Sequence, residues 1–247
     1  GSRSTTLMGN AIIMAARQVK ASILEMASEM LLVPVERIEA KNRLIYDRED
    51  TSKSLAFKEV AARCMATGKR LIGQGWWTPP ASSLDPETGQ GNPYFVYTYS
   101  THMAEVLVDV ETGEVEITDY VAAFDVGKAI NPKAVEGQIE GGVAMGLGYA
   151  LMEEVAMVDG VPQNINLQDY LIPTTLDVPH IKPIILEVEN KLGPYGAKGI
   201  GEMPNIPATP AILNAIANAC GGRVRSLPAD PEHVFMAIRE AGRPPER

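Results

Sequence analysis

Pro194-Tyr195-Gly196-Ala197-Lys198-Gly199-Ile200-Gly201-Glu202-Met203-Pro204 is the stretch from which the rest of the chain is read. Gly196, Gly199 and Gly201 keep side-chain bulk away, so the backbone can approach something large and rigid. A single acid stands at the end of this flexible turn. Glu202 is followed by Pro204, Pro207 and Pro210, which stiffen the chain beyond it. That setting predicts one carboxylate held in a dry pocket. A phosphate-binding P-loop is excluded, because Lys198 is followed by Gly199 and not by Ser or Thr, and no Gly-x-x-x-x precedes it in register. Taken alone, the stretch is equally an ordinary glycine-rich turn.

Downstream, Thr209-Pro210 is expected to cap a helix ending at Gly221-Gly222, and Asp230-Pro231 a last one ending near Gly242. Upstream, residues 165–172 and 181–189 read as strands broken by Pro173, Pro179 and Pro183. Before them, Asn131 as cap and Pro132 at the first helical position open a helix running to about Glu153. Its interior holds Gly137, Gly141, Gly142, Gly146 and Gly148. Each costs about 1 kcal/mol relative to alanine in a helix, so together they predict close approach by another backbone or a bound guest. Gln138 is the polar residue placed against that guest, or else a solvent-facing glutamine on a tightly packed helix.

Residues 94–123 pattern as strands, with Glu111-Thr112-Gly113-Glu114 as a hairpin turn between residues 104–110 and 115–122. Asp109, Glu111, Glu114 and Glu116 around that tip read as a solvated edge. Residues 9–32 read as a long amphipathic helix whose stripe of Ile12, Ala16, Val19, Ile23, Met26 and Met30 is core. Ser2, Ser4, Thr5 and Thr6 precede it, placed for an anion such as phosphate or for an ordinary cap. Between these lie a helical turn and hairpin at 34–50, a helix at 55–67, and a loop at 73–93 that contains Trp76 and Trp77.

Gly196-Ala197-Lys198-Gly199-Ile200-Gly201-Glu202, followed by Pro207-Ala208-Thr209-Pro210-Ala211-Ile212, resembles the carboxy-terminal signature of the molybdenum hydroxylases, the xanthine dehydrogenase and aldehyde oxidoreductase family. Two upstream stretches are similar to the same family in the same order. Gly1-Ser2-Arg3-Ser4-Thr5-Thr6 with Gly9-Asn10-Ala11 resembles a loop that touches the pterin cofactor. Asp125-Val126-Gly127, with Asn131-Pro132 and Gly137-Gln138-Ile139-Glu140-Gly141, resembles the segment carrying a glutamine beside the metal. The resemblance implies an α+β fold of helices with antiparallel and mixed sheets, the second half of the molybdopterin-binding domain.

It also implies oxidative hydroxylation of an N-heterocycle or aldehyde with water as oxygen donor. Glu202 would be the general base that activates the water, and Gln138 would donate a hydrogen bond to an oxygen ligand of the metal. Gly1, Ser2, Arg3, Ser4, Thr5, Gln138, Ala197, Lys198 and Gly199 would contact the cofactor. Molybdenum would be held by the pterin dithiolene and by no side chain, with the cytosine dinucleotide form favoured. The implied partners are the first half of the molybdenum subunit, which carries much of the substrate pocket, and 2Fe-2S and FAD subunits that take the electrons from a small-molecule substrate. The alternatives are a cofactor-cradling or assembly half without activity of its own, and a degenerate module that binds an unrelated ligand.

Composition is consistent with this. A chain of 247 residues, 45% of them hydrophobic, buries a full core in one or two domains, read here as residues 1–93 and 94–247. A net charge of −9 without a basic stripe argues against a nucleic-acid partner. No apolar run reaches membrane-spanning length and no signal peptide is expected. Cys64 and Cys220 suggest small buried residues in a reduced, cytoplasmic setting rather than a disulfide framework. Neither they nor His102, His180 and His233 fall at zinc-ligand spacing.

Overall fold

A computed structural model describes residues 2–242 and opens with helix α1 (Ser4–Leu31). The helix starts earlier than its apolar periodicity predicts, so Ser4, Thr5 and Thr6 form its first turn instead of preceding it. Gly1 lies outside the described residues. Only part of the expected stripe is core: Ile23 and Met26 are buried, whereas Ile12 is 61% and Met30 37% exposed. A short 3-10 turn (Val35–Arg37) leads into the antiparallel strands β1 (Ile38–Lys41), β2 (Leu44–Asp47) and β3 (Ser54–Ala56). Helix α2 (Phe57–Ala66) follows, its entry fixed by the Glu59 carboxylate accepting the Ala56 N–H at 3.0 Å. Ile23, Met26, Ile38, Ile45, Val60 and Cys64 meet in one core. Arg37 donates to the buried Asp47 and holds that carboxyl below the ordinary range. Residues 69–99 form no helix or strand, although Gln18 on α1 pairs with the Gln74 backbone through both its amide atoms, at 2.6 and 3.0 Å.

Residues 4–93 make one compact unit, and residues 94–242 with Ser2 and Arg3 make the other. The second unit is built on β4 (Ser100–Val108), β5 (Val115–Asp125) and β8 (Ile181–Leu186), in the order β4-β5-β8. β4 and β5 are the expected hairpin, and Gly113 takes the positive φ of +81° its turn requires. β8 pairs with β5 in parallel, Tyr120 opposite Ile181, so the sheet is mixed. Between them run α3 (Pro132–Leu151) and a two-strand ribbon, β6 (Met157–Val158) with β7 (Val161–Pro162). α4 (Ala208–Cys220) and α5 (Pro231–Glu240) complete the unit. Tyr120, Phe124, Ile139, Leu147, Ile212 and Ile216 are fully buried where the sheet meets these helices. The fold is therefore α+β.

Three local expectations fail for physical reasons. Residues 94–99 are not strand: the ladder starts at Ser100 opposite Phe124, the last bond beyond it runs from Asp125 N–H to Tyr99 O at 3.0 Å, and β5 ends there. Residues 165–172 are not strand either. The Asn166 side chain and carbonyl collect the N–H groups of Gln168, Asp169 and Tyr170, and this closes a turn. Thr209 does not cap α4 but sits inside its first turn, donating from Oγ1 to the Gly146 carbonyl of α3 at 2.8 Å.

Candidate functional site

Asn131 caps α3 by accepting the Ala134 N–H at 3.2 Å, and Pro132 takes the first helical position. The same helix presents two kinds of glycine. A Cβ on Gly142 would run into Pro204, and one on Gly146 into Ala208, so these two admit the chain after Glu202 and the start of α4. A Cβ on Gly137 or Gly141 would touch nothing. Gln138 and Gly141 share one exposed face with Met145, at helical spacing.

From that face Gln138 Nε2 donates to the Gly201 carbonyl at 2.8 Å. Ser2 grips the next residue twice. Its Oγ accepts the Glu202 N–H at 2.8 Å and donates to Glu202 Oε2 at 2.9 Å. The glycines of the turn make this possible, since a Cβ on Gly201 would stand 2.8 Å from Ser2 Oγ and one on Gly199 would overlap the Ser2 carbonyl. Ser2, Gln138 and the turn from Gly199 to Glu202, three stretches separated widely in sequence, are thus brought together. The expected dry pocket is not formed by the described residues: Glu202 is exposed, with its backbone N–H and Oε2 held by Ser2. Arg3 is exposed beside Ser2 in the chain, and Ser4 and Thr5 are exposed in the first turn of α1.

Ala197 and Lys198 face the other way. Ala197 is buried and forms a bridge with Gly127, and the Lys198 N–H donates to Val126 O at 2.9 Å. The Lys198 ammonium is turned onto the Asp125 carboxylate and the Tyr97 carbonyl, the latter at 2.9 Å. Burial alone would push the Asp125 carboxyl up, but Lys198 and the N–H groups of Gly127 and Val188 outweigh it and hold it below the ordinary carboxylate range. Asp125 was legible in the sequence as part of a motif, yet its partner was not. The available signal was an acid closing an apolar run, Tyr120 to Phe124, that had to meet a cation somewhere.

A groove of about 810 Å³ lies elsewhere, lined by Leu107, Glu114, Ile117, Leu147, Leu151 and Val178 among others. It includes none of Ser2, Gln138 and Glu202. Among the described residues no group of three or more His, Cys, Asp or Glu side chains is placed to hold a metal ion, and no helix is long and apolar enough to cross a membrane.

Residues 1–179 match the family model of the molybdopterin cofactor-binding domain. The chain is 34% identical over 241 residues to a probable xanthine dehydrogenase subunit of Bacillus subtilis (strain 168), covering 98% of this chain and 31% of that one. It is 37% identical over 165 residues to the aldehyde oxidoreductase of Megalodesulfovibrio gigas, covering 66% of this chain and 18% of the relative. Quinoline 2-oxidoreductase from Pseudomonas putida 86 superposes with a TM-score of 0.80 at 32% identity, over 97% of this chain and 30% of its own. The chain spans less than a third of the length of each of these proteins. By the family model and by the three ordered motifs of its sequence, the chain belongs to the molybdopterin cofactor-binding domains of the molybdenum hydroxylases.

Proposed function

We propose that this chain is the Glu202-bearing portion of the molybdenum subunit of an oxidoreductase that hydroxylates an N-heterocycle or an aldehyde with water as oxygen donor. The observation that carries this reading is the convergence of Ser2, Gln138 and the glycine turn on Glu202. The residues present fit an anionic pterin. Gly137 and Gly141 leave a smooth wall beside the Gln138 amide. The Arg3 guanidinium, exposed beside Ser2 in the chain, is a donor such a group needs. Gln138, Ser2, Arg3, Ser4, Thr5 and Gly199 are assigned to hold it, with Ala197 and Lys198 acting through the shape of the turn.

When bound, the molybdopterin cofactor supplies the two-electron redox centre. Glu202 takes the proton of the attacking water, a role that contributes a factor of roughly 100 to 10,000 when the base is well placed. Ser2 fixes the carboxylate's direction by holding Oε2 and the backbone N–H together. Gln138 fixes the preceding peptide through the Gly201 carbonyl. The exposure of Glu202 in this chain supports activity only with partner chains, which would cover the carboxylate and complete the substrate pocket. The same reading includes the cytosine dinucleotide form of the pterin, 2Fe-2S and FAD partners, and a cytoplasmic hetero-oligomer.

Glu202→Gln in the reconstituted complex should keep its molybdenum and lose turnover of xanthine, quinoline or benzaldehyde by at least about 100-fold. Near-normal turnover would remove Glu202 from the role of base.

A further inference from the structure

The turn that bears Glu202 is fixed at its far end by a pair of opposite charges that is almost wholly withdrawn from solvent. Lys198 and Asp125 keep 9% and 7% of their side-chain surface. Both are saturated. Asp125 Oδ1 accepts the N–H groups of Gly127 at 3.0 Å and Val188 at 3.3 Å, leaving Oδ2 for the ammonium. The ammonium also donates to Tyr97 O and lies 5.7 Å from the centre of the Tyr99 ring.

The backbone around the pair is bound to the same place. The Lys128 N–H donates to Gly196 O at 2.8 Å and the Lys198 N–H to Val126 O at 2.9 Å. Immediately before these anchors the chain takes an uncommon shape: Tyr195 has φ of +52° and ψ of 26° and is 78% exposed. A bulky residue keeps a left-handed backbone only where its surroundings over-determine it. Its own side chain packs too little to do so, which leaves the anchors that follow it at Gly196 and Lys198 and the turn's own hydrogen bond from Ala197 N–H to Pro194 O at 3.1 Å. Asp125 ends β5, and α3 with Gln138 starts seven residues later at Pro132.

We propose that Asp125 and Lys198 form a latch that positions the Glu202 turn against the Gln138 helix, which makes Asp125 a positioning residue of the site. The two charges tie the start of the turn to the end of β5, and Ser2 and Gln138 then receive Glu202 at its other end. The effect on turnover rests on the reading of Glu202 as the base. The ordering of the turn does not.

The test uses the complete molybdenum-containing complex, with hydrogen–deuterium exchange of residues 196–202 and kcat and KM for xanthine, quinoline or benzaldehyde. Removing one partner strands a buried charge and can unfold the protein, so Asp125→Leu/Lys198→Met, which removes both, is measured beside Lys198→Met. In the double variant, exchange across 196–202 should quicken by about tenfold or more while residues 115–125 and 132–151 keep their protection. kcat should fall with KM little changed, and Lys198→Arg should restore most of the protection. Unchanged exchange in the turn, or equal loosening of sheet, helix and turn, would overturn the latch. Selective loosening with undiminished turnover would support the latch and count against Glu202 as the base.

Discussion

His102, on β4, stands with its Nδ1 2.8 Å from the Tyr120 hydroxyl and in edge contact with Phe124, and its buried Nε2 has no hydrogen-bond partner among the described residues. Burial lowers its pKa from 6.5 to about 4. In the unfolded chain the same imidazole takes up its proton near the ordinary value, so between those two pH values the unfolded state binds more protons than the folded one. Stability is therefore complete above about pH 6.5 and is lost as pH falls towards 4. His102→Gln should flatten this part of the profile, seen as a smaller drop in Tm from pH 6.5 to 4 than in the parent chain. Equal slopes would mean that other groups set the acid sensitivity. Tyr120, pressed by the same burial, has its phenol pushed up and stays neutral throughout. Composition had shown the three histidines but not this one's setting, because the register that seats His102 opposite Ala122 and beside Tyr120 is a property of the paired strands.

At the scale of elements, α3 is where glycine content was read correctly and its meaning divided. Gly142 and Gly146 let Pro204 and Ala208 come close, while Gly137 and Gly141 leave an open face. Two substitutions separate the roles. Gly146→Leu puts bulk onto Ala208 and should destabilise the chain by about 1–3 kcal/mol, read from denaturant unfolding. Gly141→Ala meets nothing in this chain and gains helix propensity worth about 1 kcal/mol, so its stability should hold or rise. If the open face receives the pterin, Gly141→Ala should nonetheless lower the molybdenum content of the assembled complex. Full molybdenum loading would place the cofactor away from this face. The ends of α3 and α5 were legible because Asn131-Pro132 and Asp230-Pro231 cap locally, each acid or amide accepting an N–H three residues on. Thr209-Pro210 looked the same in sequence. Its hydroxyl went to Gly146 on α3 because that carbonyl comes within reach only after the helices pack.

For the whole molecule, the chain represents less than a third of the length of the relatives described above, and its exposed surface is consistent with that. Tyr94, Tyr97, Met103 and Leu107 are all more than half exposed. Purified with its natural partners, the complex should contain stoichiometric molybdenum together with iron and flavin, and acid treatment should release a cytidine nucleotide. A folded complex free of molybdenum and pterin would instead mark a degenerate binding module. By itself the sequence determined the starts of α3 and α5, the Gly113 hairpin, the glycine-cleared turn before Glu202 and the family, because each is written in short local patterns of capping, turn and spacing. Only the tertiary structure decided that Ser2 holds Glu202 across 200 residues, that Gln138 meets Gly201, and that Lys198 turns inward to Asp125. Those contacts follow from strand pairing and helix packing, which bring distant residues to within hydrogen-bond reach and which no local pattern encodes.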